Sequence, residues 1–278
     1  MRLSCLTNSY GRFGPEAAIR LLPEAGIRFI ELPIKNAGVA SFFGEIPLLT
    51  NAAGTAELDR VHDLLAEQGM RLSSCNISSG NIRDDDAVER TLVKLALAEQ
   101  LGVQLVVGGG GEARDAAEAE RLHSQLRRSG DAAGERGIVY CCETHPGSCQ
   151  NAEAMQRTME AVDHPHIRLN FDTGNLYYYN HRVDLLAALE QVLPWVEHVH
   201  LKDTPGGYEE WNFRELGNGV VDFWEVGQRL RSSQFRGPCS LELEGLRGEP
   251  PPTLEEHQAR ILRSVEHLRQ CGWSNVAS

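Results

Sequence analysis

Four β-like segments in the second half of the chain each end in a carboxylate or an imidazole. The segments are IVYCCETH, IRLNFDTGN, VEHVHLKD and CSLELEG, and their polar ends are Glu143, Asp172, His200 and either Glu242 or Glu244. Three carboxylates and one imidazole form a hard, oxygen-rich ligand set. Such a set suits Mn²⁺, Mg²⁺ or Co²⁺ better than a thiolate zinc site does, with Zn²⁺ as an alternative. If the four segments are neighbouring parallel strands, their carboxyl ends meet, and the sequence predicts a site for one divalent metal ion.

Strand alternation narrows the choice within two of these segments, because residues i and i+2 share a face of a strand. His198 therefore shares a face with His200, and Glu242 shares one with Glu244. His200 is closer to the carboxyl end, so we expect it to be the ligand. His198 is then a deeper residue that forms hydrogen bonds or contacts substrate. For the eighth strand the same geometry favours Glu244.

Eight short β-rich runs alternate with longer amphipathic stretches and must position these side chains. Stretches with apolar residues three and four apart include 55–69, 86–102, 151–163, 182–193 and 254–269. Eight such units predict a (β/α)8 TIM barrel, a single domain over residues 1–278. The rival fold, an open doubly wound sheet, lacks its GxGxxG signature after the first run. The eight runs are Arg2–Leu6, Ile27–Ile34, Arg71–Ile77, Gln104–Val107, Ile138–Glu143, Ile167–Asp172, Val196–Lys202 and Cys239–Glu244.

Two long connections follow the second and the seventh run, at 35–54 and 203–221. In a barrel both leave from the carboxyl ends of strands, the face on which active sites are built, so both are expected to act as lids. The aromatic residue Trp211 lies in the second connection. Glu31, within the second run, and Asn76, near the end of the third, either point into the same mouth or are structural.

Charge and composition exclude several classes of protein. The formal net charge is −12, which argues against a broad basic face for nucleic acid. No apolar run is long enough for a membrane helix and the amino-terminal segment lacks the apolar stretch of a secretory signal, so we expect a cytoplasmic protein. The seven cysteines form no CxxC pair and are expected to be reduced and buried.

The motifs ETHPG, NFDTGN, HVHLKD and GPCSLELEG together resemble the xylose isomerase-like TIM-barrel superfamily, which contains sugar isomerases, epimerases and endonuclease IV. The resemblance covers about residues 1–270. It implies a divalent metal held by Glu143, Asp172, His200 and Glu242, so Glu242 replaces Glu244 as the expected ligand. Barrels of this superfamily are often dimers or tetramers, which makes a homo-oligomer an expectation by analogy.

Two departures from the relatives' patterns narrow the function that the resemblance implies. Many relatives carry Asp-x-x-His on the sixth strand, where this chain has Asp172 and Asn175. The second to fourth runs lack the additional histidines with which endonuclease IV relatives hold three zinc ions. Together with the acidic net charge, this argues against a role in DNA repair.

The resemblance thus implies a sugar or keto-sugar isomerase or epimerase in which Glu143 and Glu242 also exchange protons with the substrate, through an enediolate stabilised by the ion. His145, His198, Lys202, Trp211 and Asn175 are the expected substrate-binding residues, with Glu215 or Asn218 near substrate hydroxyls. The expected partner is a small sugar. Two alternatives stay open: a lyase that dehydrates an inositol-like or keto-glycoside substrate, and a sugar-binding subunit without chemistry.

Overall fold

Eight parallel strands close into a barrel in the computed structural model, which describes residues 1–273. Each strand pairs with the next along the chain, and the last pairs with the first, which completes the ring. The (β/α)8 barrel predicted from the alternation is confirmed. The strands are β1 (Arg2–Leu6), β2 (Phe29–Lys35), β3 (Arg71–Asn76), β4 (Leu105–Gly109), β5 (Val139–Glu143), β6 (Ile167–Asp172), β7 (Val196–Leu201) and β8 (Pro238–Leu241).

Helices cover the outside of the barrel, and several of them begin at a residue whose side chain caps the first turn. Asp115, Asn151, Asp184 and Asp222 each accept a backbone N–H from the first turn of a helix, and Thr253 forms a capping box with Glu256. These caps satisfy donors that have no partner inside the helix. The helices are α1 (Gly14–Leu21), α2 (Thr55–Gln68), α3 (Asp85–Gln100), α4 (Ala116–Gly134), α5 (Ala152–Val162), α6 (Thr173–Tyr178), α7 (Leu185–Val192), α8 (Phe223–Ser232) and α9 (Leu254–Gln270).

Strand β8 is shorter than the sequence predicts, and this changes the geometry of its two glutamates. The expected run continued to Glu244, whereas the strand ends at Leu241. The Glu242 N–H still donates to the carbonyl of Leu201 at the end of β7, but the Glu244 N–H donates to the carbonyl of Phe213. Gly245–Leu246 then pairs antiparallel with Asn212–Phe213. The alternation rule therefore stops applying after Leu241, and the two glutamates need not share a face.

Both long connections lie at the carboxyl end of the barrel, as expected. The first, which follows β2, touches the second through the rings of Phe42 and Trp211, whose centroids are 5.5 Å apart. Lys35 at the end of β2 forms an ion pair of 3.0 Å with Glu45, whose side chain is buried. Ionic and aromatic contacts thus hold the two connections over one mouth.

The glycines after β4 are explained by packing. A Cβ atom at Gly108 would collide with the hydroxyl of Tyr140, which donates to the carbonyl of Gly109.

All seven cysteines are free and six of them are buried. Within residues 1–273, the helices are all too short or too polar to cross a membrane.

Candidate metal centre

Four of the predicted side chains meet at the carboxyl end of the barrel. Glu143 ends β5, Asp172 ends β6, His200 lies in β7, and Glu242 directly follows β8. One ligand atom can be chosen from each so that all four lie within 4.8 Å of one another. All four residues are buried, Asp172 and His200 completely. Four neighbouring strands therefore deliver their polar ends to a space of the size of one coordination sphere.

The ring of His200 is held between this cluster and Glu31, which reaches across the barrel from β2. His200 Nδ1 lies 3.0 Å from Glu143 Oε1 and 3.1 Å from Glu242 Oε2, while Nε2 lies 3.0 Å from Glu31 Oε2. Burial alone would lower the pKa of His200, but the attraction of Glu31 and Glu242 outweighs burial and holds that pKa well above its usual value. Glu31 is thus a structural partner that can orient a ligating imidazole.

His198 lies beneath the cluster and is fully buried. Its Nδ1 is 2.8 Å from Asn170 Oδ1, and its Nε2 is 3.2 Å from the hydroxyls of Ser74 and Ser240. Burial lowers its pKa to about 4, so the ring is neutral near pH 7. Of the two roles that the sequence left open, the structure gives His198 a hydrogen-bonding one. It is not among the residues that line the cavity described below, and its expected contact with substrate stays a prediction.

Lys202 is the buried cation of the site. Its Nζ lies 2.8 Å from Glu244 Oε2, 3.4 Å from Glu242 Oε2 and 3.6 Å from Asp172 Oδ2. Burial opposes the charge, but these carboxylates hold the pKa of Lys202 well above its usual value. Glu244 is therefore a lysine partner outside the four-residue cluster, and burial raises its pKa to about 7.

The donor set fits a divalent cation. Asp172 Oδ1 accepts the N–H groups of Gly174 and Asn175, but Asp172 Oδ2 and Glu242 Oε2 are buried and have no hydrogen-bond partner among the described residues. Buried carboxylate oxygens need a compensating cation, and Lys202 provides a single ammonium near both of them, at 3.6 and 3.4 Å, where three carboxylates converge. Carboxylates with one imidazole are the ligands that Mg²⁺, Mn²⁺ or Co²⁺ prefer. Glu143, Asp172, His200 and Glu242 together provide one such pocket.

A cavity of about 210 Å³ opens directly above the cluster. Four of the expected substrate-binding residues line it, namely His145, Asn175, Lys202 and Trp211. His145 Nδ1 lies 3.6 Å from Glu143 Oε2, and Asn175 Oδ1 accepts a hydrogen bond from Lys202 Nζ. Asn76, which the sequence left open, is also in the wall. The cavity is thus polar, with a titratable side chain beside the candidate ligand Glu143.

Sequence reasoning missed several wall residues, Asn8 and Lys35 among them, and placed near the substrate two residues that lie outside the cavity. Asn8, Lys35 and Tyr179 line the cavity, and Lys35 Nζ donates to Asn8 Oδ1 at 3.2 Å. Lys35 ends β2 and Asn8 lies two residues after β1, and this position at a strand's carboxyl end was the available signal. Glu215 and Asn218 do not line the cavity. Glu215 instead forms an ion pair of 3.1 Å with Arg263 on α9, so its charge is already compensated there.

Comparison with known proteins agrees with this architecture. A family model described as the xylose isomerase-like TIM barrel matches residues 19–271. The chain belongs to this family. A xylose isomerase-like TIM barrel protein from Mycobacterium smegmatis, solved with magnesium, superposes with a TM-score of 0.75 at 20% identity and covers 99% of this chain and 98% of its own. D-Psicose 3-epimerase from Clostridium cellulolyticum H10, solved with D-tagatose, has a TM-score of 0.75 at 14% identity and covers 98% and 99%. At these identities the likeness shows the fold.

Curated relatives of the family match over a shorter stretch. An inosose dehydratase from Yersinia enterocolitica is 30% identical over 144 residues, which are 46% of this chain and 48% of that protein. The chain thus spans about half the length of the curated relatives that it matches. Membership of the xylose isomerase-like superfamily follows from the family model, whereas the reaction and the substrate do not follow from these comparisons.

Proposed function

We propose that this xylose isomerase-like barrel is a divalent-metal-dependent enzyme that removes a proton from the carbon next to the carbonyl of a sugar or cyclitol. The observation that carries the proposal is the four-residue cluster at the floor of a polar cavity of about 210 Å³. Buried oxygens without hydrogen-bond partners support a cation in the cluster. The small cavity suits a single polyol better than a drug-sized molecule, which needs roughly 300 Å³ or more.

Glu143, Asp172, His200 and Glu242 would hold the ion, with Mn²⁺, Mg²⁺ or Co²⁺ preferred and Zn²⁺ as an alternative. A bound divalent ion supplies positive charge that stabilises the negative charge developing on substrate oxygens. Glu31 would keep the His200 ring oriented through its hydrogen bond to Nε2. Asp172 would contribute Oδ2, which has no hydrogen-bond partner among the described residues, because the N–H groups of Gly174 and Asn175 donate to Oδ1.

Proton transfer falls to the two glutamates that line the cavity. Glu143 comes from β5 and Glu242 from the end of β8, so they approach the floor from different strands. Attraction by His145 and His200 outweighs burial and lowers the pKa of Glu143, which keeps that carboxylate ionised and able to accept a proton. His145, beside Glu143, is placed to protonate a departing hydroxyl. Lys202 and Asn175 can bind sugar hydroxyls, and Trp211 offers an apolar face to the sugar ring.

Two outcomes of this proton removal have support. Loss of the β-hydroxyl would make the chain a dehydratase of an inositol-like ketone, and the inosose dehydratase similarity supports this outcome. Return of the proton to the opposite face would make it an epimerase, the outcome ranked first from the sequence. The approach of Glu143 and Glu242 from different strands supports epimerisation. We place dehydration first. The support for dehydration comes from sequence similarity at 30% identity, whereas the support for epimerisation from known proteins comes only from similarity of fold.

The test is incubation of the Mn²⁺-loaded protein in D₂O with an inosose and, separately, with a ketohexose, followed by proton NMR. A dehydratase converts the inosose to an unsaturated product, whereas an epimerase yields an epimer with deuterium at the inverted carbon. Glu143→Gln should abolish either reaction, while the matched control Glu215→Gln should leave it unchanged. Metal-dependent affinity without proton exchange for any polyol would instead indicate a sugar-binding subunit and overturn the proposed enzyme.

Cellular context remains part of the proposal. We propose a cytoplasmic protein that acts on a small-molecule sugar, without nucleic acid or membrane as partner. The homo-oligomer suggested by analogy is a further proposal, which sedimentation of the purified chain tests directly.

A further inference from the structure

A second cavity adjoins the metal cavity. Its volume is about 300 Å³, larger than the 210 Å³ above the metal cluster. Asn8 and Glu244 line both cavities, so the two spaces meet at these side chains. The reaction proposed for the metal cluster uses the first cavity alone and leaves the second without a role.

The walls of this second cavity are mainly apolar. Leu243 and Leu246 follow β8, Pro251 and Pro252 precede α9, and Phe43 belongs to the connection after β2. Two consecutive prolines and one aromatic ring present flat, rigid surfaces. Flat apolar walls favour an apolar group, and an aromatic ring above all, because such a ring buries a large area at little cost in conformational entropy.

The polar groups of the second cavity already have partners. Arg12 Nη2 donates to the carbonyl of Pro252 at 3.1 Å, and its guanidinium lies over the ring of Phe13. Glu249 forms an ion pair of 2.8 Å with Arg260. Burial lowers the pKa of His257, so this ring is neutral near pH 7. Few polar groups are therefore free to select a charged or strongly polar ligand, in contrast to the first cavity.

We propose that the second cavity binds an apolar substituent attached to the polyol whose reacting carbon lies in the metal cavity. The substrate would then be a substituted sugar or cyclitol, of the chemical class of an aryl glycoside, rather than a free polyol. Asn8 and Glu244 lie at the junction, where the Asn8 NH₂ group would donate a hydrogen bond to the linking oxygen and the Glu244 carboxylate would accept one from a neighbouring sugar hydroxyl. This inference rests on the proposed function for the occupant of the metal cavity and extends it to the substrate class.

The test compares two probes that differ only in their substituent, methyl and phenyl β-D-glucopyranoside. Binding of each to the Mn²⁺-loaded protein is measured by titration calorimetry, with and without EDTA. We expect the phenyl compound to bind about tenfold more tightly, as burial of one aromatic ring allows. Leu246→Trp, which fills the second cavity, should reduce the difference to less than twofold and leave the methyl compound unaffected. Leu262→Trp is the matched control, because Leu262 is exposed on α9.

The outcomes separate this inference from the proposed function. Equal affinities for the two probes would overturn the substituent site and leave the metal-dependent chemistry standing. A phenyl preference that persists in Leu246→Trp, or in EDTA, would also overturn it, because the ring would then bind elsewhere. Failure of every sugar and inosose to bind in a metal-dependent way would refute the proposed function itself.

Discussion

Replacement of Asp203 by Asn is expected to loosen the connection that carries Trp211. Asp203 follows β7 and is buried. One carboxylate oxygen accepts the N–H groups of Thr204 at 2.9 Å and Val221 at 3.2 Å. The other accepts those of Gly217 at 2.8 Å and Gly219 at 2.9 Å. One side chain thus closes both ends of the segment 204–221 over the barrel.

The magnitude follows from this count of donors. An asparagine has one carbonyl oxygen, so it can serve two of the four N–H groups, and its own NH₂ would face the other two. A hydrogen bond to a charged acceptor contributes about 1.5–3 kcal/mol, so losing two gives a destabilisation of ~3–6 kcal/mol. Local opening of the segment can relieve part of this penalty without global unfolding. We therefore expect both a lower free energy of unfolding and faster proteolysis within 204–221.

Urea unfolding followed by circular dichroism measures the first effect, and a protease time course with mass spectrometry measures the second. The matched control is Asp222→Asn. Asp222 accepts a single N–H, from Glu225, and caps α8, a role that Asn performs equally well. If Asp203→Asn unfolds like the unsubstituted protein and its 204–221 segment is equally protected, Asp203 does not hold the connection and the reasoning fails.

Three further predictions follow from other contacts. Adding Mn²⁺ at about 100 times its Kd to EDTA-treated protein should stabilise the fold by ~2.7 kcal/mol. Asp172→Asn should remove most of this gain. Equal stabilisation of the unsubstituted protein and the variant would contradict the assignment of Asp172 as a ligand. Lys94 is buried, and burial lowers its pKa from 10.5 to about 7, so its contribution makes the free energy of unfolding rise with pH between these two values. Lys94→Met should therefore reduce the dependence of the free energy of unfolding on pH by up to ~1.4 kcal/mol per pH unit, measured by urea unfolding at pH 7.5 and 9. An unchanged pH dependence would refute this role of Lys94. Gly108→Ala should lower the melting temperature, because the added methyl group meets the Tyr140 hydroxyl. Tyr140→Phe should partly restore the melting temperature in the double variant. If the two substitutions have additive effects on stability, the collision does not occur.

The meeting of three of the four cluster residues was predictable from the chain alone. Glu143 and Asp172 stand at the ends of buried, β-rich runs, and His200 stands one residue before the end of another. In a parallel barrel, consecutive strands bring those ends together. The alternation of eight such runs with amphipathic stretches was strong enough to predict the barrel as well. These predictions needed only local periodicity and the rule that parallel neighbours align their ends.

The choice between Glu242 and Glu244 needed information that local periodicity lacks. Alternation predicts a shared face only while the strand continues, and β8 ends at Leu241 because the following segment pairs with Asn212–Phe213. That pairing joins two loops about 30 positions apart in the chain, and no local pattern marks it. Family resemblance pointed to Glu242, and the geometry now gives a physical reason: Glu242 keeps the register of β7, whereas Glu244 turns to Lys202.

His198 lies deeper in the barrel than His200 and is hydrogen-bonded there, one of the two roles that the sequence left open. It shares a face with His200, as alternation requires. The interior of a barrel is filled by layers of side chains, however, and a residue two positions closer to the amino end of a strand lies one layer deeper. Its neutral ring fills that layer between Asn170 and two serines. The position along the strand predicts that His198 is the deeper of the two residues, but periodicity does not indicate at which depth the cavity wall ends, so the contact with substrate could not be decided from the sequence.

Under the proposed function, chemistry and specificity come from different parts of this barrel. The candidate metal ligands sit on or directly after strands, where parallel pairing fixes them, whereas the walls that would select a substrate include residues from the connections, such as Trp211, Phe43 and Leu246. Connections can change without disturbing the strand ends. A superposition at 14% identity accordingly shows the scaffold and leaves the substrate open. The substrate that we propose for this chain would occupy both adjoining cavities, with its polyol above the candidate metal site and its apolar group in the second cavity.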